Sequence, residues 1–138
     1  MNPLVSIITP NYNASEFISE AIKSVQNQTY ENWELIIIDD CSTDNSIKII
    51  KEFQENDARV KLIELNENVG PAIVRNEGIK IAKGTYLTFI DSDDIWLPEF
   101  VEISIKNVVN TEGFVFASYH RFNEALEPKY KDFIVPLK

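Results

Sequence analysis

Hydrophobic positions along the chain alternate between two spacings. Short runs of β-branched and aromatic residues occur at 4–9, 33–38, 60–65, 85–90 and 114–122. Between these runs, apolar residues recur every three or four positions, which is typical of amphipathic helices. The run at 33–38 has apolar residues on both faces, as expected for a central strand of a parallel sheet. The pattern therefore predicts an α/β fold, with a mostly parallel sheet and helices on both of its faces.

Local signals predict where several helices begin and end. Asn13, with Glu16 three positions later, fits the cap of the first helix. Pro71 suits the first turn of the third helix, and Gly84 suits the end of that helix. Pro98 is expected to open a fourth helix before the last strand.

Composition narrows the class of partner. The chain has 138 residues, which fits one domain with a core, and it carries 13 Lys plus Arg against 22 Asp plus Glu. A net charge of −9 argues against nucleic acid or an anionic membrane surface as the main partner. The single cysteine, Cys41, cannot form an internal disulfide. No signal peptide is evident and the apolar runs are too short to span a bilayer, so we expect a cytoplasmic protein without a transmembrane segment.

Three polar clusters follow predicted strands directly. They lie at 10–13, 39–40 and 91–94. In parallel sheets ligands bind beyond the carboxyl ends of the strands, so the sequence predicts a site built from these clusters.

The cluster Asp91-Ser92-Asp93-Asp94 places three carboxylates within four residues. Such carboxylates repel one another unless a positive charge lies among them. Oxygen ligands of this kind suit Mg²⁺ or Mn²⁺, which complete their shell with water and substrate phosphates. The alternative is a solvated turn whose aspartates cap the following helix.

The pair Asp39-Asp40 ends a strand that is predicted to be buried. One of these carboxylates could accept the imino N–H of a uracil or guanine ring. The alternative is that Asp40, Ser42 or Thr43 caps the second helix.

Five segments in order carry a resemblance to a known family. They are 5–13, 38–44, Asn68-Val69-Gly70, the segment with Arg75-Asn76 and Gly78, and Gly84-Thr85-Tyr86 leading to the acidic residues 91–94. Together they resemble the family 2 glycosyltransferases of the GT-A fold, over essentially residues 4 to 110. A nicotinamide dehydrogenase does not fit, because the turn after the first strand contains no glycine.

The resemblance implies a nucleotide site on the first two clusters. The loop after the first strand, represented by Thr9, Pro10 and Tyr12, would lie along the base and ribose. Asp40 would accept the N–H of the base, and Asp39 would support it.

The resemblance also implies a Mg²⁺ or Mn²⁺ site in the third cluster. Asp93 would ligate the cation, with Asp91 as a second ligand. Asp91 or Ser92 would alternatively reach the ribose or a metal-bound water. Arg75 would belong to the nucleotide site or steady the acidic loops.

The implied activity is metal-assisted, inverting transfer of a sugar from a nucleotide-diphosphate sugar, expected to be a UDP-sugar, to a glycan or lipid-linked acceptor. Residues 1–122 would form the donor-binding domain, and residues 123–138 would be the start of an acceptor-side region or a tail. Because that region is short, we expect a chain truncated at its C-terminal side, with the general base beyond Lys138. The full-length protein is expected in polysaccharide biosynthesis, cytoplasmic or peripheral at the inner membrane face. The alternative is a nucleotide-sugar binding module without transfer activity.

Overall fold

The structure is a computed structural model that describes residues 2–109. Strands and helices alternate along this range. The strands are β1 (Val5–Asn11), β2 (Trp33–Asp39), β3 (Val60–Glu64) and β4 (Tyr86–Phe89), and the helices are α1 (Ile18–Gln26), α2 (Ser46–Asn56), α3 (Pro71–Ile81) and α4 (Phe100–Val108). This order confirms the prediction as far as α4. The expected fifth strand, 114–122, lies outside the described residues.

The chain divides into two compact units, Met1–Val101 and Glu102–Lys138, and the sheet lies in the first. Four strands form the sheet in the order β3-β2-β1-β4, and all of the pairs are parallel. No helix within residues 2–109 is long and apolar enough to cross a bilayer.

The strand order reverses between β1 and β4. The chain steps from β1 to β2 to β3 in one direction and then returns across the sheet to place β4 on the other side of β1. Right-handed crossovers then put α3 on the opposite face from α1 and α2. The contacts agree, because α1 packs with α2 while α3 packs on β1 and β2. Helices on both faces of a parallel sheet are therefore confirmed.

One part of the hydrophobic core lies between α3 and the two central strands, where Ile36, Ile38 and Val74 are buried together. Buried residues of α1 and α2 pack on the other face. Gly78 brings α3 close to β1, because a Cβ on this residue would lie 2.5 Å from Ile8 Cγ2. Contacts this short do not occur between real side chains, so the helix can pack at this depth only with glycine at position 78.

Two predicted helix boundaries are wrong. Asn13 does not cap α1, because the helix begins five residues later and Asn13 itself has a left-handed backbone with φ of 49°. Gly84 does not end α3, which ends at Ile81. A Cβ on Gly84 would lie 2.5 Å from the backbone N of Ser6, so this glycine serves close approach to β1. Pro71 in the first turn of α3 is confirmed.

The expected caps of α2 are wrong as well. Neither Asp40, Ser42 nor Thr43 provides a side-chain cap for this helix. The first turn is held by Asp44, whose Oδ1 accepts the backbone N–H of Ser46 at 2.9 Å. Sequence spacing alone left several acceptors available within one turn, and the path of the chain decided among them.

A buried carboxylate ties the strands together at the amino edge of the sheet. Glu34 Oε1 accepts hydrogen bonds from Ser6 Oγ at 2.6 Å and from the backbone N of Lys83 at 2.8 Å. Lys61 Nζ lies 2.6 Å from Glu34 Oε2. Burial raises the pKa of Glu34, but the hydrogen bonds from Lys61, Ser6 and Lys83 outweigh it and hold the pKa below its usual range.

Candidate functional site

The three polar clusters meet at the carboxyl edge of the sheet. Asn11 at the end of β1 is paired in register with Asp39 at the end of β2. The acidic loop, residues 91–94, follows β4, whose Phe89 is paired with Ile8 on the other side of β1. The reversal of strand order therefore falls between the β1–α1 loop and the acidic loop, which is where α/β sheets bind ligands.

Asp39 organises the loops after β1 and β2. Its Oδ1 accepts Asn11 Nδ2 at 2.7 Å and Ser42 Oγ at 2.6 Å, and its Oδ2 accepts the backbone N of Ser42 at 2.9 Å. The side chain is 1% exposed. Such a carboxylate is engaged with the protein, so its position suits support of a neighbouring group, the role that the family resemblance implies for it.

Asp40 fixes the segment that leads into α3. Its Oδ1 accepts the backbone N–H of Val69 at 2.7 Å, and its Oδ2 accepts that of Gly70 at 2.9 Å. Asn68 Nδ2 donates to the Asp40 carbonyl at 3.0 Å. Asp40 is 4% exposed. A carboxylate has about four acceptor positions, so a ring N–H could still be accepted beside these two bonds.

The β1–α1 and β2–α2 loops are joined by side-chain to backbone hydrogen bonds. Asn13 N donates to Ser42 Oγ at 2.9 Å, and Thr43 N donates to Asn13 Oδ1 at 2.8 Å. Asp44 Oδ2 accepts the N–H of Ser15 at 2.9 Å. The pKa of Asp44 is about 2, because hydrogen bonds from Ser46 and Ser15 outweigh the opposing effect of burial. The two loops are thus held as one unit.

The predicted residues of the β1–α1 loop differ in exposure. Tyr12 presents its ring to solvent and is 55% exposed, and Pro10 is half-buried. Thr9 is 1% exposed and is paired with Ile37 within the sheet. Tyr12 is therefore accessible to a ligand, whereas the side chain of Thr9 is enclosed by the fold.

The acidic loop is a tight turn, and its three carboxylates differ in exposure and in their ion pairs. The backbone N of Asp94 donates to the Asp91 carbonyl at 3.1 Å. Asp91 forms an ion pair with Arg75 of α3, and Ser92 is half-buried. Asp93 and Asp94 are exposed. Partial desolvation, followed by the charges of Asp93 and Asp91, raises the pKa of Asp94.

The donor chemistry of this loop fits a divalent cation. Three carboxylates lie within four residues here, and one of them, Asp91, is paired with a basic side chain. Within residues 2–109, Asp93 and Asp94 form no ion pair, and both remain available as oxygen ligands. The described residues contain no group of three or more ready-made metal ligands. Exposed carboxylates are oxygen ligands of the type that Mg²⁺ and Mn²⁺ take in ones or twos, together with water and phosphate.

A buried glutamine anchors the segment that follows the acidic loop. Gln28, directly after α1, donates from Nε2 to the carbonyls of Ser24 and Leu97 at 3.0 and 2.8 Å. Its Oε1 accepts the N–H of Val101 at 2.9 Å. Ser24 Oγ accepts the N–H of Trp96 at 3.2 Å. These polar residues were missed from the sequence. The sequence feature that could have found them is the spacing of Ser24 and Gln28, two uncharged hydrogen-bonding residues that lie four positions apart beside the apolar positions of α1.

The known proteins that this chain is similar to are glycosyltransferases. The family model described as Glycosyl transferase family 2 matches residues 6–134. The UDP-Glc:alpha-D-GlcNAc-diphosphoundecaprenol beta-1,3-glucosyltransferase WfgD of Escherichia coli is 43% identical over 121 residues, which are 87% of this chain and 47% of WfgD. The glycosyltransferase GlyG of Streptococcus pneumoniae is 36% identical over 126 residues, covering 91% of this chain and 42% of GlyG.

A solved structure has the same architecture. The crystal structure of S. aureus TarS 1–349 in complex with UDP-GlcNAc superposes with a TM-score of 0.72 at 30% identity, over 76% of this chain and 31% of that chain. The chain thus spans about half the length of WfgD and a smaller part of TarS. With the family model matching nearly the whole chain and the sheet matching in three dimensions, the protein belongs to the family 2 glycosyltransferases and has the GT-A fold.

Proposed function

We propose that this chain carries the nucleotide-sugar site of a glycosyltransferase. The enzyme would transfer a sugar from a UDP-sugar to an acceptor hydroxyl, with inversion and with help from a divalent cation. One observation carries the proposal: the loops that follow the neighbouring strands β1 and β4 present an exposed aromatic residue, Tyr12, and exposed carboxylates, Asp93 and Asp94. An aromatic ring suits a nucleobase, and uncompensated carboxylates suit a cation that binds a diphosphate.

Two relatives support the choice of donor and acceptor. TarS was crystallised with UDP-GlcNAc, and the name of WfgD gives UDP-Glc as donor and a diphosphoundecaprenol-linked sugar as acceptor. We extend both to this chain: the donor is a UDP-sugar, and the acceptor is a glycan or a lipid-linked sugar of polysaccharide biosynthesis. A lipid-linked acceptor would bring a cytoplasmic protein to the inner face of the membrane.

In this proposal the first two loops bind the nucleoside. Tyr12, on the exposed part of the β1–α1 loop, lies along the base, and Pro10 borders the ribose together with the backbone at Thr9. Asp40 accepts the uracil N–H with an oxygen that already holds α3. Asp39 keeps Asp40 in place, because it fixes the turn that follows both residues.

The acidic loop binds the diphosphate through a cation in this proposal. Asp93 is the principal ligand, and Asp91, whose carboxylate is paired with Arg75 in this structure, is the second ligand. Ser92 borders the ribose. A divalent cation held there would neutralise the diphosphate and stabilise the charge that develops on the leaving nucleoside diphosphate. We assign the general base to no residue within 2–109.

Ligand-dependent thermal stability tests the site. UDP with Mn²⁺ at about 100 times its dissociation constant should stabilise the chain by about 2.7 kcal/mol. Asp93→Asn should abolish most of the shift, because it removes the principal ligand. Glu52→Gln is the matched control, since it removes one negative charge from the exposed face of α2 and should leave the shift unchanged. An equal shift in Asp93→Asn, or no shift in the unaltered protein, would refute the assignment.

A second candidate function is a binding module without transfer activity. It is favoured by the observation that the groups at the carboxyl edge of the sheet, Tyr12, Asp40 and Asp93, are ones that donor binding alone would use. Release of UDP from a panel of UDP-sugars, with and without glycan acceptors, separates the two. UDP release that depends on an acceptor supports the transferase. Binding without release supports the module.

A further inference from the structure

Arg75 places a positively charged side chain at the acidic loop, where the proposed function also requires a divalent metal ion. It lies in the second turn of α3 and forms an ion pair with Asp91 Oδ1. Within residues 2–109, it is the one Lys or Arg side chain that forms an ion pair with the acidic loop. The loop and Arg75 together carry three negative charges and one positive charge.

The ion pair is accessible enough to be exchanged. The Arg75 side chain is 33% exposed and the Asp91 side chain is 49% exposed. Ion pairs of this exposure contribute little net stability, because water solvates both partners once they separate. Asp91 can therefore pass from the guanidinium to another cation at small cost, and Arg75 can turn to another anion.

The charge of Arg75 opposes a divalent cation at the same loop. Asp93 and Asp94 lie within three residues of Asp91, in a turn closed by a hydrogen bond of 3.1 Å from the backbone N–H of Asp94 to the Asp91 carbonyl. These carboxylates thus act on one another across the loop. A guanidinium held on one of them lowers the negative potential that a cation meets and occupies one of its oxygens.

We propose that Arg75 is a positioning residue that competes with the divalent cation for Asp91 and thereby couples cation binding to nucleotide binding. Without nucleotide, the guanidinium stays on Asp91 and the cation binds weakly. With nucleotide, the diphosphate offers Arg75 another anion, and Asp91 becomes available to the cation. The inference rests on the proposed nucleotide-sugar site, and it adds that tight binding of the cation depends on binding of the nucleotide.

Two binding measurements on the 138-residue chain test this exchange. Mn²⁺ alone is titrated and the free ion is followed by electron paramagnetic resonance, and UDP is titrated calorimetrically at saturating Mn²⁺. In Arg75→Gln, Mn²⁺ alone should bind about five- to tenfold more tightly, because one repelling charge has gone. UDP should bind at least about tenfold more weakly, because its diphosphate has lost a charged partner. Opposite changes in the two affinities are the signature of exchange.

Two further variants separate exchange from a structural effect. Arg75→Lys keeps the charge, so Mn²⁺ alone should bind within about twofold of the unaltered chain. Lys80→Gln removes a positive charge from an exposed position on the same helix, and should change neither affinity by more than about twofold because solvent and salt screen it. Thermal unfolding of each variant shows whether it is folded.

The outcomes distinguish the inference from the proposed function. If the unaltered chain binds UDP with Mn²⁺, but Arg75→Gln binds Mn²⁺ alone with the same or lower affinity, the exchange is wrong and the nucleotide site stands. Weaker binding of both ligands by Arg75→Gln would mean that Arg75 only shapes the loop, which also overturns the exchange. If the unaltered chain binds neither ligand, the proposed function falls together with the inference.

Discussion

Replacing Asp40 isolates the hydrogen bonds that fix the start of α3. Each carboxylate oxygen accepts one backbone N–H, from Val69 at 2.7 Å and from Gly70 at 2.9 Å. Asp40→Asn keeps the shape and one acceptor, but it places an NH₂ group against the other N–H. Asp40→Ala removes both acceptors and leaves both N–H groups without a partner in a site that is 4% exposed.

The magnitude follows from the number of bonds lost. A hydrogen bond to a charged group contributes about 1.5–3 kcal/mol net. Asp40→Asn loses one such bond and the charge of the other, so the free energy of unfolding should fall by about 2–3 kcal/mol. Asp40→Ala loses two bonds and should cost about 3–5 kcal/mol. Because whole domains are stable by only about 5–15 kcal/mol, both changes should be readily measured.

Urea unfolding at neutral pH, followed by far-ultraviolet circular dichroism, measures these losses. Asp93→Asn is the matched control, because Asp93 is exposed and accepts no hydrogen bond within residues 2–109. It should change the free energy of unfolding by less than about 0.5 kcal/mol. If Asp40→Asn is as stable as that control, the two backbone contacts do not hold α3 and the reasoning is refuted.

Three other substitutions test the packing, the anchor and the charges. Gly78→Ala should lower stability by up to about 2 kcal/mol in thermal unfolding, because overpacking against Ile8 costs about 1–3 kcal/mol and helix propensity returns about 1 kcal/mol; a stabilised variant would contradict the packing. Gln28→Leu should speed amide hydrogen exchange in residues 95–101 by about tenfold or more, because three hydrogen bonds are lost; unchanged exchange would show that the anchor is unimportant. Asp57 has a pKa of about 2, below its ordinary 3.8, chiefly because Arg59 donates to it, and the carboxylate is 14% exposed. The ionised group therefore contributes about 2 kcal/mol above pH 4 and loses this contribution as the pH falls towards 2, so the stability gap to Asp57→Asn, measured by urea unfolding, should close over that range; a gap that is constant with pH would contradict this origin.

The element order was predictable because it depends on local periodicity. Runs of β-branched residues and helical stripes gave β1 to β4 and α1 to α4 to within a few residues. Pro71 was placed correctly because its missing N–H suits any first helical turn. Asn13 and Gly84 were misplaced, because both act on a distant segment: Asn13 contacts the β2–α2 loop, and Gly84 lies against β1.

The candidate site was predictable in position but not in its internal bonding. Acidic residues after β2 and β4 were expected at one edge of the sheet, and the parallel register brings them there. The partners of Asp40 lie 29 and 30 residues along the chain, and Arg75 lies 16 residues before Asp91. No local pattern specifies such pairs, because they depend on where α3 packs.

The sequence by itself determined the class of fold, the family and the edge of the sheet at which the three polar clusters meet. Strand and helix periodicity, net charge and the ordered motifs are all properties of the chain read in one dimension. Only the tertiary structure decided which of these polar side chains are buried and hydrogen-bonded and which are exposed, because this depends on the segments that pack around them. It enclosed Thr9, committed Asp39 and Asp40 to hold neighbouring loops, and paired Arg75 with Asp91. It left Asp93 and Asp94 exposed and, within residues 2–109, without an ion pair.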